Sequence, residues 1–438
     1  MPVAVLIHCW LMPTAGAASP DLVRSLLVKI QAMPMVDSHT HLPPPAAFRE
    51  QWKDRRYDVV ALLGGCTYVS EFTWGTTWQQ VKANLAVNGH HAYVRPILEA
   101  FHDLYGLPAG EELTDENVET VSARMDAAHR KAGWYEEVIS KRAGIAHLVW
   151  LEASNRGQAD MPSPAWHPIW NVDGDLVFLA GKPGKDGRWP LDGTQEKFKV
   201  KLRDLKGMEM LIDGEIDSFF ARGGVSLKST AAYFRALDFN DAVPRPRATA
   251  LFAKALKKES LPDAGKKDLE DYLMTRVLGA CARHKKPFQF HTGNQQSWNI
   301  VANANPLGLN RLLSTGRWFE VKFVLLHGGY PFSREAIVLT REYTNVFLDL
   351  AWMALFSPSA GKQVLAEALD LLEGHQLMFG TDCANLEETY GTVKFTRRML
   401  AEVLADKIEG GYWTEEVALR AARRVLHDNA MDLYGLKD

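Results

Sequence analysis

The sequence predicts an α/β chain folded as a (β/α)8 TIM barrel with a helical insertion after strand 1. Three observations lead there. Short apolar runs near residues 36, 60, 146, 225, 289, 324, 347 and 378 read as buried strands, and unbroken apolar runs are what parallel strands covered on both faces require. In the C-terminal third these runs alternate with amphipathic helical segments, the pattern of parallel β-α units. Lys228, His291, His327 and Asp382 each fall at the C-terminal end of a predicted strand, the face on which such barrels gather their polar chemistry.

Each element has a local reason. Ser19-Pro20 places a cap and a proline at the start of a helix over 21–32, and Pro34 stops it. The strand 35–41 follows, and Pro43-Pro44-Pro45 breaks it and sends the chain outward. Residues 46–142 are mostly helical in periodicity, with one apolar run, 59–63, reading as a strand. Residues 145–151 (IAHLVWL) form a strand, 155–204 an irregular stretch rich in Gly, Pro, Trp and Lys, and 225–228 (VSLK) a short strand. A helix over 266–285 leads into the strand 288–291 (FQFH). Strands at 321–327 (VKFVLLH), 346–350 (VFLDL) and 377–380 (LMFG) then alternate with helices to the end. The expected organisation is an N-terminal segment and helix (1–34) and one barrel domain (35–438), with the helical insert over about 44–142.

Composition bounds the function. With 47% hydrophobic residues and 13 Trp, the 438-residue chain can bury a large core. Fifty basic against 53 acidic residues leave a net charge of −3, and no basic stripe interleaved with aromatics is present, which argues against a nucleic-acid surface. No apolar stretch is long enough to span a bilayer. The expected partner is a small-molecule substrate, with neither nucleic acid nor membrane, and homo-oligomerisation is left open. Cys9, Cys66, Cys281 and Cys383 are scattered, as in a reducing compartment. An apolar run and small residues over 1–18 resemble a signal peptide, but no Lys or Arg precedes them. The expectation is a cytoplasmic chain, with export the minor alternative.

The chemistry starts from Val36-Asp37-Ser38-His39-Thr40-His41. On a strand, residues two apart share a face, so His39 and His41 can offer two imidazole nitrogens to one ion. Glycine follows closely in His291-Thr292-Gly293 and His327-Gly328-Gly329, and precedes Asp382 in Gly380-Thr381-Asp382, permitting tight turns and close backbone approach. Asp349 could orient a ligand histidine or cap a helix. Trp74, Trp298 and Trp352 could line a pocket or serve the core, and Tyr330 and Arg334 could meet an anion or simply cap. His90, His91, His102, His129 and His147 read as ordinary surface or core histidines, and Cys383 as a small packing residue.

The series DSHTHL, SLKS, FQFHTG, LLHGGYP, FLDL and FGTD resembles the amidohydrolase superfamily, in particular the amidohydrolase-related branch whose domain is fused to glutamine synthetase in some fungal and plant proteins. The resemblance implies metal ligands at His39, His41, His291, His327 and Asp382, with Asp382 also taking a proton from the attacking water. It places Lys228 where some relatives carry a carboxylated lysine bridging two ions; an unmodified ammonium could instead meet a substrate carboxylate or developing negative charge. Imidazoles with a carboxylate suit Zn²⁺, or another divalent metal such as Mn²⁺, as one or two ions. The implied activity is metal-dependent hydrolysis of a C–N, amide-type bond, with Asp382, His327 and Lys228 catalytic. The alternatives are a decarboxylase of an aromatic or related carboxylic acid and a uronate-isomerase-like enzyme.

Overall fold

The fold comes from a computed structural model that describes residues 18–64, 75–152, 155–294 and 300–437. The segment 1–17 and residues Cys9, Cys66, Trp74 and Trp298 lie outside the described residues. Eight strands run in chain order: β1 (Met35–Thr40), β2 (Ile145–Glu152), β3 (Trp166–Asn171), β4 (Ser226–Ser229), β5 (Phe288–Phe290), β6 (Phe323–Leu325), β7 (Val346–Asp349) and β8 (Leu377–Met378). Each pairs in parallel with the next. The barrel is nearly closed. Backbone hydrogen bonds cross the remaining seam from Ser38 N–H to Phe379 C=O (3.4 Å), Asp382 N–H to His39 C=O (2.8 Å) and His41 N–H to Cys383 C=O (3.0 Å).

Alternation along the strands sorts side chains between the barrel lumen and the helical layer. Val36, Val149, Ile169, Val324, Phe347 and Met378 pack together inside, joined by Leu433 and Tyr434 of the last helix, Asn429–Tyr434. Trp166 and Trp170 of β3 turn the other way, into the larger core shared with the helices.

Two expectations fail. The run 59–63 is not a strand but part of the helix Val59–Gly64. Asp58 sits just ahead of it, and its carboxylate accepts the Ala61 N–H at 2.9 Å, the signature of a helix start. The missing strand is β3, which lies in the stretch expected to be irregular. Pro168 stands in its middle without an N–H, yet its carbonyl still accepts the Val225 N–H at 3.0 Å.

Between β1 and β2 the described chain is helical, including Pro45–Trp52, Val94–Tyr105 and Val118–His129. Helix Val94–Tyr105 packs on the long helix Leu386–Glu409. At their closest point a Cβ on Gly391 would lie 2.0 Å from the Pro96 carbonyl oxygen, so only glycine allows this approach. Fully buried Glu387, near the start of the long helix, accepts from Tyr105 Oη (2.5 Å) and Tyr57 Oη (3.1 Å) and pairs with His129 Nε2 (2.7 Å). The group fastens two helices and the loop at Tyr57 to the first turn of the long helix. Among the described residues no helix is long and apolar enough to cross a membrane.

Candidate metal centre

His39, in β1, and His41, just beyond it, point their Nε2 atoms at one carboxylate oxygen. Each lies 3.2 Å from Oδ1 of Asp382. His39 and Asp382 are buried and His41 is half-buried. Asp382 is delivered by the turn after β8 with φ of +57°. His327, at the end of β6, has φ of +64°, and Trp352, after β7, has φ of +73°. Such backbone costs about 1–3 kcal/mol in a residue with a side chain and persists only where the surroundings impose it. Among the described residues, three of the six non-glycine positions with positive φ therefore surround this one volume.

The donor set fits a divalent ion. Oδ1 of Asp382 is buried and has no hydrogen-bond partner of proper geometry, despite two imidazole nitrogens within 3.2 Å. Burial, with the Lys228 ammonium nearby, holds the His39 imidazole well below its usual pKa and so neutral. Burial alone would raise the Asp382 carboxyl, but His327, His39 and His41 outweigh it and hold it well below the usual range. Two imidazole nitrogens and one anionic oxygen converging on one point suit Zn²⁺ or another first-row divalent metal. Their ligating atoms lie within 4.8 Å of one another.

The other expected site residues stand around this trio rather than in it. Lys228 reaches across the lumen from β4 and places Nζ 2.8 Å from His39 Nε2, on the lone pair an ion would use. Burial lowers its pKa to about 8, offset in part by Asp382, Asp173 and Asp349. His327 lies with Nδ1 3.9 Å from Asp382 Oδ2. His291 pairs with His327 (Nδ1 to Nε2, 2.9 Å) and places its own Nε2 2.9 Å from the Asn294 carbonyl oxygen. The Ala351 carbonyl oxygen lies 3.3 Å from His327 Nδ1. Three hydrogen bonds in that chain would need three protons, and two neutral imidazoles carry two. Burial holds His291 well below its usual pKa and His327 at about 4. The long contact to Ala351 is therefore the one without a proton, and His327 Nδ1 keeps its lone pair.

Beneath the site lies a polar layer that sequence reasoning touched only at Asp349. Asp37 accepts the Thr381 N–H (2.8 Å) and hydroxyl (2.5 Å). Asp349 accepts the Ser38 hydroxyl (2.5 Å) and the Ala351 N–H (2.7 Å). Gln289 Nε2 donates to Tyr434 Oη (2.7 Å). Burial pushes the Asp37 carboxyl up to about 7 and that of Asp349 up to about 6. The sequence held a signal for two of these residues, since Asp37 and Ser38 belong to the same short motif as the histidines.

The remaining candidates resolve in different ways. The buried Trp352 ring packs edge-on to His327, with centroids 5.6 Å apart, so it forms a wall of the site. Exposed Arg334 is bound to Glu367 at 2.7 Å, which leaves it a surface ion pair. Tyr330 packs on Phe356. Cys383 is fully buried and its thiol is pushed well above the usual range, first by that burial, so it is a packing residue.

The chain is similar to known proteins in part of its sequence and in its fold. The family model described as "Amidohydrolase" matches residues 243–436. The protein fluG of Emericella nidulans is 32% identical over 225 residues, which take in 49% of this chain and 26% of fluG. The chain thus matches about a quarter of that relative's length. Among solved structures, uronate isomerase of Thermotoga maritima superposes with a TM-score of 0.76 at 14% identity, over 95% of this chain and 98% of its own. Glucuronate isomerase of Caulobacter crescentus does so with a TM-score of 0.76 at 14% identity, over 99% and 97%. At that identity the two share the fold.

Proposed function

We propose, from the premise that residues 243–436 belong to the amidohydrolase family, that this metal-dependent enzyme hydrolyses a C–N, amide-type bond in a small molecule. The observation that carries the reading is the buried, unpartnered Oδ1 of Asp382 facing the Nε2 atoms of His39 and His41. A divalent ion held there supplies Lewis acidity, lowering the pKa of a water and polarising a carbonyl.

The chain's own residues do the rest. Asp382, kept anionic, takes the proton of the attacking water on Oδ2 and passes it to the leaving amine. Lys228, largely protonated at neutral pH with its pKa near 8, faces the developing oxyanion. His327 keeps its Nδ1 lone pair on the side of Asp382, where it would add a donor to the ion, and Trp352 excludes bulk water behind it. His291 reaches the centre through His327, so its part is to hold that ring, or to join as a ligand when the pair opens.

The test is a count of metal ions per purified chain, followed by turnover of an amide panel in oxygen-labelled water. Label appearing in the carboxylate product is the expected result. Carbon dioxide release, or isomerisation of a uronate, with no label incorporated would overturn the hydrolase reading in favour of a lyase or an isomerase.

A further inference from the structure

At the mouth of the barrel, where β3 and β4 end, a cavity of about 290 Å³ is bounded by Asn171, Asp173, Thr230, Phe178, Phe234 and Lys266. It lies beside the catalytic side of the lumen, since Asn171 pairs in register with Lys228 and Thr230 follows two residues later. Its walls are aromatic. Phe178 and Phe234 stand edge to face with centroids 5.8 Å apart, and Phe234 is 69% exposed although no partner ring covers its outer side among the described contacts. Apolar rings held open at a cavity mouth favour a flat, apolar occupant.

The floor is polar but almost wholly self-satisfied. Asn171 donates to Thr230 Oγ1 at 3.2 Å. One oxygen of Asp173, Oδ2, accepts from Ser229 Oγ (3.1 Å), Thr230 N–H (2.5 Å) and Thr230 Oγ1 (3.1 Å). Lys266, at the rim, is drawn to Glu270, 3.7 Å away. One group is left over. Oδ1 of Asp173 is buried with no hydrogen-bond partner, in a side chain only 2% exposed. A buried acceptor without a donor costs about 1–3 kcal/mol, and a ligand that supplies one donor recovers that cost.

We propose that this cavity seats an aromatic arm of the substrate carrying a single hydrogen-bond donor, a phenol or an indole. Its ring lies against Phe178 and Phe234, and its donor meets Oδ1 of Asp173. The inference rests on the reading of the chain as a small-molecule enzyme and names the substrate side chain that reading leaves open.

The experiment titrates the full-length chain with p-cresol and with toluene, followed by ligand-observed NMR. The same titrations are run on Phe234→Ala, Asp173→Asn and His41→Ala. The expected results are about tenfold tighter binding of p-cresol than toluene, and about tenfold weaker p-cresol binding in Phe234→Ala. Asp173→Asn cancels the preference, because its oxygen stays with the three donors and its NH2 takes the vacant side. Phe234 is exposed, so its replacement leaves the fold intact and keeps the test valid even if Asp173→Asn does not fold. Equal binding of the two ligands, or p-cresol binding indifferent to Phe234→Ala, overturns the inference. Binding that survives in His41→Ala separates the pocket from the chemistry: p-cresol retained without amide turnover in the parent chain sinks the hydrolase reading and leaves this one standing.

Discussion

Asp37 grips Thr381 through both of its oxygens, one on the backbone N–H and one on the hydroxyl, and so fixes the turn that presents Asp382 to the histidines. Groups that orient a ligand rather than touch the ion typically account for 10- to 100-fold in metal affinity. Asp37→Ala is expected to weaken zinc binding by about that factor while leaving the helical circular dichroism unchanged. Competition with a chromogenic chelator measures it, and parental affinity in the variant would refute the positioning role.

Removing the ion should loosen the protein itself. A ligand bound only to the folded state stabilises it in proportion to the logarithm of its concentration over Kd, about 4 kcal/mol at a thousandfold excess. Chelation is therefore expected to lower the Tm of the parent chain and abolish turnover. His41→Ala, already short of a ligand, should show a Tm indifferent to chelator in differential scanning fluorimetry.

Lys228→Met separates the two roles open to that side chain. Met keeps the length and removes the charge. On the oxyanion reading the metal count per chain holds while kcat falls, by roughly a hundredfold. A drop from two ions to one on the same substitution would instead assign Lys228 to the second ion.

A pH effect is expected away from the metal. His147 Nδ1 and His167 Nε2 lie 3.0 Å apart inside the barrel. Burial, then the neighbouring His147, lowers the His167 pKa to about 4. Between pH 6.5 and 4 the unfolded chain binds a proton that the folded chain refuses, so stability falls as pH drops through that window and is unaffected above it. The loss from this residue is on the order of 3 kcal/mol. His167→Gln should flatten the stability-against-pH curve between those limits in urea titrations, and an unchanged slope would remove His167 as the cause.

Where local pattern and tertiary role agree, the sequence was readable. Strands β4 to β8 are short apolar runs ended by polar residues, and each lies where its pattern puts it. The two errors have separate physical origins. Residues 59–63 (VVALL) are a short apolar run, which buried helix and buried strand share, and the decisive mark was the capping Asp58 beside it. The β3 sequence WHPIWN carries a proline that ordinarily argues against an inner strand. It lies in a stretch read as irregular from its Gly, Pro, Trp and Lys content, and the Pro168 carbonyl still joins the ladder. In the site, His39, His41 and Asp382 were legible because strand periodicity and strand ends place them. Gln289 and Asp173 were not, because their roles depend on residues brought near only by barrel closure.

The seam between β8 and β1 is where the first and last strands of the barrel meet, and the three candidate ligands straddle it. During synthesis the two histidines leave the ribosome long before the aspartate, and the chain in between must already have wound most of the way round. A nascent chain halted before β8 would thus carry two of the three candidate ligands and lack the carboxylate. Metal retention becomes a report that the ring has been completed, and any cut or permutation that parts residues 41 and 382 in space would erase it without touching a ligand.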